Sequence, residues 1–164
     1  MTPELSHVHS GGGVRMVDTS AKEASARVAT ARARVRFSDA GTLAHLRGGA
    51  TAKGDVLNTA RIAGIMAAKR TWELIPLCHQ VPLDSVEVDV EPADDPAGVV
   101  VTATARCRGV TGVEMEALTA ASVAALTVVD MLKAVDRWMT IDWLGLLEKH
   151  GGRHGDLVRP ADLR

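Results

Sequence analysis

The stretch Val86-Glu87-Val88-Asp89-Val90-Glu91, followed by Asp94-Asp95-Pro96-Ala97-Gly98 and a second apolar run over 99–108, decides the fold. Its first part alternates apolar and acidic residues with period two, which predicts a strand with an acidic outer face. The Asp-Asp-Pro-Ala-Gly segment is a turn signal, so the run over 99–108 returns as the second strand of a hairpin. A third alternating stretch, Ala31-Arg32-Ala33-Arg34-Val35-Arg36-Phe37, predicts a strand with one basic face. Acidic and basic faces are complementary. The expectation is one antiparallel sheet with opposite charges side by side, each pair contributing up to ~1 kcal/mol. Helices are expected over 41–47, 58–71 and 116–137. The last carries an apolar stripe of Leu118, Ala121, Ala125, Val129 and Leu132. Strands and helices intermix around a hairpin, so the fold class is α+β, with helices packed on one face of an antiparallel sheet.

The bulk properties narrow the function. The chain has 164 residues, 46% hydrophobic and 24% charged, with net charge −1. That suits one domain over 14–158, with a flexible arm over 1–13 and a tail over 159–164. A near-neutral chain lacks the basic footprint of a nucleic-acid binder. At 2% aromatic residues it also lacks stacking platforms for single strands. The apolar runs are shorter than the ~20 residues of a membrane span. Two cysteines, Cys78 and Cys107, at no metal-like spacing point to the reducing cytoplasm.

Polar residues cluster beyond what a fold needs. Lys53-Gly54-Asp55 precedes a helix start carrying Asn58, Thr59 and Arg61, a place where backbone can approach an anion. An ordinary turn has the same composition. Leu77-Cys78-His79 lies between Pro76 and Pro82. A Cys beside a His suits a reactive thiolate, half a metal site or a pocket wall. With no orienting partner and no further ligands at recognised spacing, the reading favours Cys78 as pocket lining and His79 as a donor to substrate. Thr111-Gly112-Val113-Glu114-Met115-Glu116 opens the long helix. Its carboxylates suit the helix macrodipole, and they also suit the guanidine-like edge of a purine or pterin. On the same helix Asp130 and Lys133 share a face. An exposed ion pair explains them at ~0.3–0.5 kcal/mol. Because the helix carries no charge between Glu116 and Asp130, the reading instead puts the pair in a partly buried site. Glu148-Lys149-His150-Gly151-Gly152-Arg153-His154-Gly155-Asp156 reads as a Gly-rich cationic loop able to grip phosphate. His7 and His9 read as surface residues of the arm.

Taken in order, these segments resemble the cyclic pyranopterin monophosphate synthase family, the molybdenum cofactor biosynthesis protein C family. The resemblance rests on Met16-Val17-Asp18-Thr19-Ser20-Ala21-Lys22, Lys53-Gly54-Asp55-Val56, Leu74-Ile75-Pro76-Leu77-Cys78-His79, Thr111 to Ala120, Asp130-Met131-Leu132-Lys133 and Lys149 to Asp156. It implies a ferredoxin-like subunit assembling as a hexamer, a trimer of dimers, with sites at dimer interfaces. It implies conversion of a cyclised GTP-derived triphosphate to cyclic pyranopterin monophosphate with loss of pyrophosphate, a phosphorus-oxygen lyase reaction. Asp130, Lys53 and Lys133 are the implied catalytic residues. Leu77, Cys78, His79, Glu114, Met115, Glu116, Lys149 and Arg153 are the implied substrate contacts. No protein-bound metal or cofactor is expected, although magnesium can accompany the triphosphate. Transient contact with other enzymes of the molybdenum cofactor pathway is compatible with the resemblance. Two other readings compete: a non-catalytic nucleotide-binding module, which would not need Asp130, and a zinc hydrolase built on Cys78 and His79.

Overall fold

The computed structural model describes residues 13–49, 53–153 and 155–163. His7, His9, His154 and most of the arm lie outside these residues. The elements run β1 (Ser25–Arg36), α1 (Gly41–Arg47), α2 (Val56–Ala68), α3 (Thr71–Leu74), β2 (Leu83–Asp94), β3 (Ala97–Gly109), α4 (Glu114–Leu132), β4 (Thr140–His150) and β5 (Leu157–Val158), with a final 3-10 turn, Ala161–Leu163. The strands form one sheet in the order β2-β3-β1-β4-β5, each pair antiparallel. The first four strands and their helices make two interleaved split β-α-β units.

Small side chains explain the packing. The inward residues of β1 (Ala29, Ala31, Ala33, Val35) stand opposite Ala105, Ala103, Val101 and Val99 of β3. All eight are fully buried. Onto this flat floor α4 lays Ala117, Ala120, Ala121, Ala124, Ala125 and Val128, also buried. Helix and sheet therefore close without bulky side chains, which suits a chain with one Phe and no Tyr. By length and hydropathy α4 resembles a membrane span. Its packing against β1, β3 and β4 makes it the core helix of this sheet.

Four expectations need correction. The acidic and basic strands share the sheet but are not neighbours, because β3 lies between them. The arginines find other partners: Arg34 and Arg36 meet Asp142 of β4 at 2.6 and 3.3 Å, and Glu87 meets Arg106 of β3 at 3.3 Å. Second, α2 starts at Val56, because Asp55 caps it by accepting the Asn58 N–H at 3.0 Å, and a break at Lys69–Arg70 separates it from α3. Third, α4 spans Glu114–Leu132, shifted toward the N-terminus from the expected 116–137. Fourth, Glu148, Lys149 and His150 end the unanticipated strand β4, and the Gly-rich loop begins only at Gly151.

Just beyond α4 lies a second polar anchor. Asp136, 3% exposed, accepts hydrogen bonds from Ser38 N (2.8 Å), Ser38 Oγ (2.5 Å), Trp138 N (3.0 Å) and Thr42 Oγ1 (3.4 Å). It ties the turn after α4 to the start of α1. Burial pushes its pKa up, but these donors outweigh burial and hold the carboxyl below its usual range.

Candidate active site

The C-terminal end of α4 holds the first cluster. Lys53 Nζ donates to Asp130 Oδ2 at 2.9 Å and to the Asp130 carbonyl at 2.8 Å. Lys133 Nζ donates to Asp130 Oδ1 at 2.6 Å. Lys53 is delivered by the turn that leads into Asp55, the cap of α2, and Lys133 is the C-cap of α4. A carboxylate three residues from a helix C-terminus opposes the macrodipole. Here two ammonium groups offset that. Hydrogen bonding to Lys133, then to Lys53, lowers the Asp130 pKa to about 2. The expected partial burial is not seen. The side chains of Lys53, Asp130 and Lys133 are 43%, 54% and 61% exposed in the single chain, because no described element of this protomer covers that end of α4. Nor is α4 buried all round, since Leu126 on the same helix is 57% exposed. Asn58, Thr59 and Arg61 turn out to support the start of α2: Asn58 Nδ2 donates to Asp55, Thr59 Oγ1 donates to the Asp55 carbonyl, and Arg61 donates to Asn58 and to the Val90 carbonyl.

The N-terminal end of α4 holds the second cluster, a depression in two joined lobes. One lobe, about 480 Å³, is lined by Leu77, Cys78, His79, Glu114, Met115 and Glu116, with Lys22. The other, about 750 Å³, is lined by Lys22, Arg27, Lys149 and Arg153, and shares Thr111, Gly112 and Glu114 with the first. All eight expected substrate contacts therefore converge. Burial pushes the Glu116 pKa up, against a backbone hydrogen bond that lowers it and with the charge of Glu114 adding to the rise; the residue is 4% exposed. Burial and the charge of Glu116 likewise raise the Cys78 thiol, which keeps its proton and suits a pocket wall better than a nucleophile. Among the described residues, no group of three His, Cys, Asp or Glu side chains is arranged to hold a metal ion.

Two lining residues escaped the sequence reading, Lys22 and Arg27. Lys22 ends the quoted stretch from Met16, but nothing local assigned it a role. Arg27 sits on β1, two residues before the first buried alanine. Its Nε is buried without a hydrogen-bond partner among the described residues. A buried guanidinium nitrogen beside a depression calls for a partner that the described residues do not supply. Arg27 stands in phase with the inward alanines of β1 rather than with Arg32, Arg34 and Arg36, so the basic alternation of that strand did not include it.

The two clusters do not meet within one protomer. Glu114 and Asp130 are sixteen positions apart on α4, about 24 Å along its axis at 1.5 Å per residue.

Comparison with known proteins bears on this arrangement. The model of the MoaC family matches residues 16–152. A Thermomicrobium roseum protein named cyclic pyranopterin monophosphate synthase is 56% identical over 159 residues, covering 97% of this chain and 95% of that protein. A Chloroflexus aurantiacus protein of the same name is 54% identical, covering 96% of each. A Brucella melitensis protein of that name is 51% identical over 166 residues, covering 100% of each. The matched residues include both clusters apart from Arg153, with the strands and helices that carry them: the chain belongs to the MoaC family.

Proposed function

We propose that the chain is an enzyme of molybdenum cofactor biosynthesis that converts 3′,8-cyclo-7,8-dihydroguanosine 5′-triphosphate to cyclic pyranopterin monophosphate, releasing pyrophosphate. The names of its relatives support this reading. The observation that carries it is the depression itself, which combines carboxylates for a guanidine-like edge with a cationic lobe for an oligophosphate. Lys22, Arg27, Lys149 and Arg153 bring four cationic side chains to one lobe, against the carboxylates of Glu23 and Glu114. A triphosphate carries about four negative charges near neutral pH and needs such partners. Glu116 stands in the other lobe and Glu114 between the two, where they can accept from ring N–H groups, with His79 and Met115 beside them.

The chemistry requires a proton donor and acceptor at the ring, then attack of a sugar hydroxyl on the α-phosphorus with pyrophosphate leaving. Asp130, with its pKa near 2, stays a carboxylate at neutral pH. So weak a base serves chiefly as the anchor of Lys53 and Lys133, and a lysine is the proton-bearing partner. Cationic side chains around the phosphates neutralise charge on the leaving group. No protein-bound cofactor enters this scheme; magnesium arrives, where present, with the triphosphate.

The reading includes assembly. With about 24 Å between clusters along α4, the Lys53–Asp130–Lys133 cluster of one protomer completes the depression of another. A ferredoxin-like subunit in a homohexamer of three dimers, acting in the cytoplasm, is the proposed working form. The test is turnover by the purified chain, measured as pyrophosphate release and cyclic product, with Asp130→Asn and Lys133→Ala beside it. Both variants are expected to lose at least about 100-fold, the scale of general acid-base contributions. Near-normal turnover in both refutes the assignment.

A further inference from the structure

The turn between β4 and β5 presents Lys149, Gly152 and Arg153 to the cationic lobe. It is built from glycines because the backbone demands them. Gly151 and Gly152 have φ of +87° and +82°, where other residues are strained. A side chain on Gly151 would also run into the Ala26 carbonyl, and one on Gly152 into the Arg27 guanidinium. Such a turn costs more chain entropy to order than most, so its geometry needs a pin.

The pin is Asp156. One carboxylate oxygen accepts the Gly151 N–H at 3.1 Å, and the other meets His150 Nδ1 at 3.1 Å. Across the same turn, Lys149 Nζ donates to the Gly155 carbonyl at 3.3 Å. That single contact leaves the ammonium with further N–H donors for a ligand. The charged groups around His150 can be named by element. Glu148 of β4 lies 3.7 Å from Nε2, Asp156 lies beyond the turn, and β1 places uncharged Val28 directly opposite, with Arg27 adjacent against Gly152.

We infer that His150 and Asp156 form a positioning clasp that sets the cationic turn for its anionic ligand, engaged most fully while His150 is protonated. Neither side chain lines the lobe; both act through Lys149 and Arg153. The inference rests on the proposed reading of that lobe as the oligophosphate site. Its pH sense follows from both partners. The hydrogen bond to Asp156 raises the His150 pKa; burial opposes it, and the charges of Asp156 and Glu148 add to the rise. The clasp's contribution is therefore complete below the ordinary His value of 6.5 and is lost as pH rises through the raised value. The Asp156 pKa is lowered, by His150 first and then by the Gly151 N–H, so its contribution fails only in strong acid.

The experiment uses the full chain and inorganic tripolyphosphate, titrated calorimetrically across a pH series, with His150→Gln and Asp156→Asn. Comparing each variant with wild type at the same pH cancels the ligand's own ionisation. Asp156→Asn is expected to weaken binding a few-fold. The wild-type advantage over His150→Gln should be largest below the ordinary His value of 6.5 and shrink as pH rises through the raised value. In turnover, both variants should raise KM several-fold and leave kcat unchanged. A wild-type chain that binds tripolyphosphate no better than either variant at any pH overturns the clasp. So does a wild-type advantage independent of pH, or a loss confined to kcat. A wild-type chain that binds tripolyphosphate with the expected pH-dependent advantage but never releases pyrophosphate from the cyclic substrate upholds the clasp and overturns only the reaction.

Discussion

Replacing Asp136 by alanine tests whether the turn after α4 is held by the hydrogen bonds described. Two of the four donors are backbone N–H groups, of Ser38 and Trp138, which have no freedom to turn elsewhere. The other two are hydroxyls of Ser38 and Thr42, which can rotate. Each stranded backbone donor costs ~1–3 kcal/mol, while a rotating hydroxyl costs less. Asp136→Ala should therefore destabilise the fold by about 3 kcal/mol, a large share of the ~5–15 kcal/mol a domain has. Asp136→Asn keeps one acceptor oxygen and should lose about half as much. The pH sense is also fixed. A depressed folded pKa stabilises above the ordinary Asp value of 3.8, and that contribution is lost as pH falls through the depressed value. Urea unfolding at one protein concentration measures both effects, since any assembly would add a concentration term. An alanine variant within about 1 kcal/mol of wild type would refute the reasoning.

Gly64→Ala probes the α2–α4 contact: the added Cβ would lie 2.9 Å from the Ala120 carbonyl oxygen, 3.2 Å from Val88 Cγ2 and 3.3 Å from Ala124 Cβ. Alanine gains ~1 kcal/mol of helix propensity, but overpacking should win and leave a net loss of about 1–2 kcal/mol by urea unfolding; an unchanged or raised midpoint would mean that α2 shifts freely. Cys78→Ser should keep turnover within about threefold, because a raised thiol pKa disfavours the thiolate a nucleophile needs; a loss beyond about 100-fold would make Cys78 a nucleophile after all.

The parts of the fold that were legible in sequence are those set by local chemistry. The Asp95-Pro96 turn and the alternation on both sides identified the β2–β3 hairpin, and α1 lies where its residues predicted. Strand β4 was hidden because Ile141-Asp142-Trp143-Leu144-Gly145-Leu146-Leu147 lacks clean alternation, and its pairing with β1 shifts register twice. Strand adjacency was misjudged because charge complementarity operates on whichever strand lies alongside. The small inward residues of β1 and β3 decide that neighbour, and they carry no charge. For the site, each expected side chain was identified from its own segment, but the grouping needed three dimensions. Cys78-His79 meets Glu116 rather than Asp130, and Arg27 becomes notable only once its Nε is seen to be buried. The absence of charge between Glu116 and Asp130 was read as burial of the pair, whereas it marks the stripe that covers the sheet. Past that stripe the helix end is open.

The central claim is that one working site takes Lys53, Asp130 and Lys133 from one protomer and the depression from another. Mixing two inactive variants tests it. Asp130→Asn disables one cluster and Lys149→Ala the other; the two are unfolded together at equal amounts, refolded, and assayed for pyrophosphate release. With random pairing, about one quarter of the shared sites receive both intact clusters, so the mixture should recover roughly a quarter of the wild-type rate although each parent is nearly inactive. A mixture no more active than its parents would contradict the account and return both clusters to a single protomer.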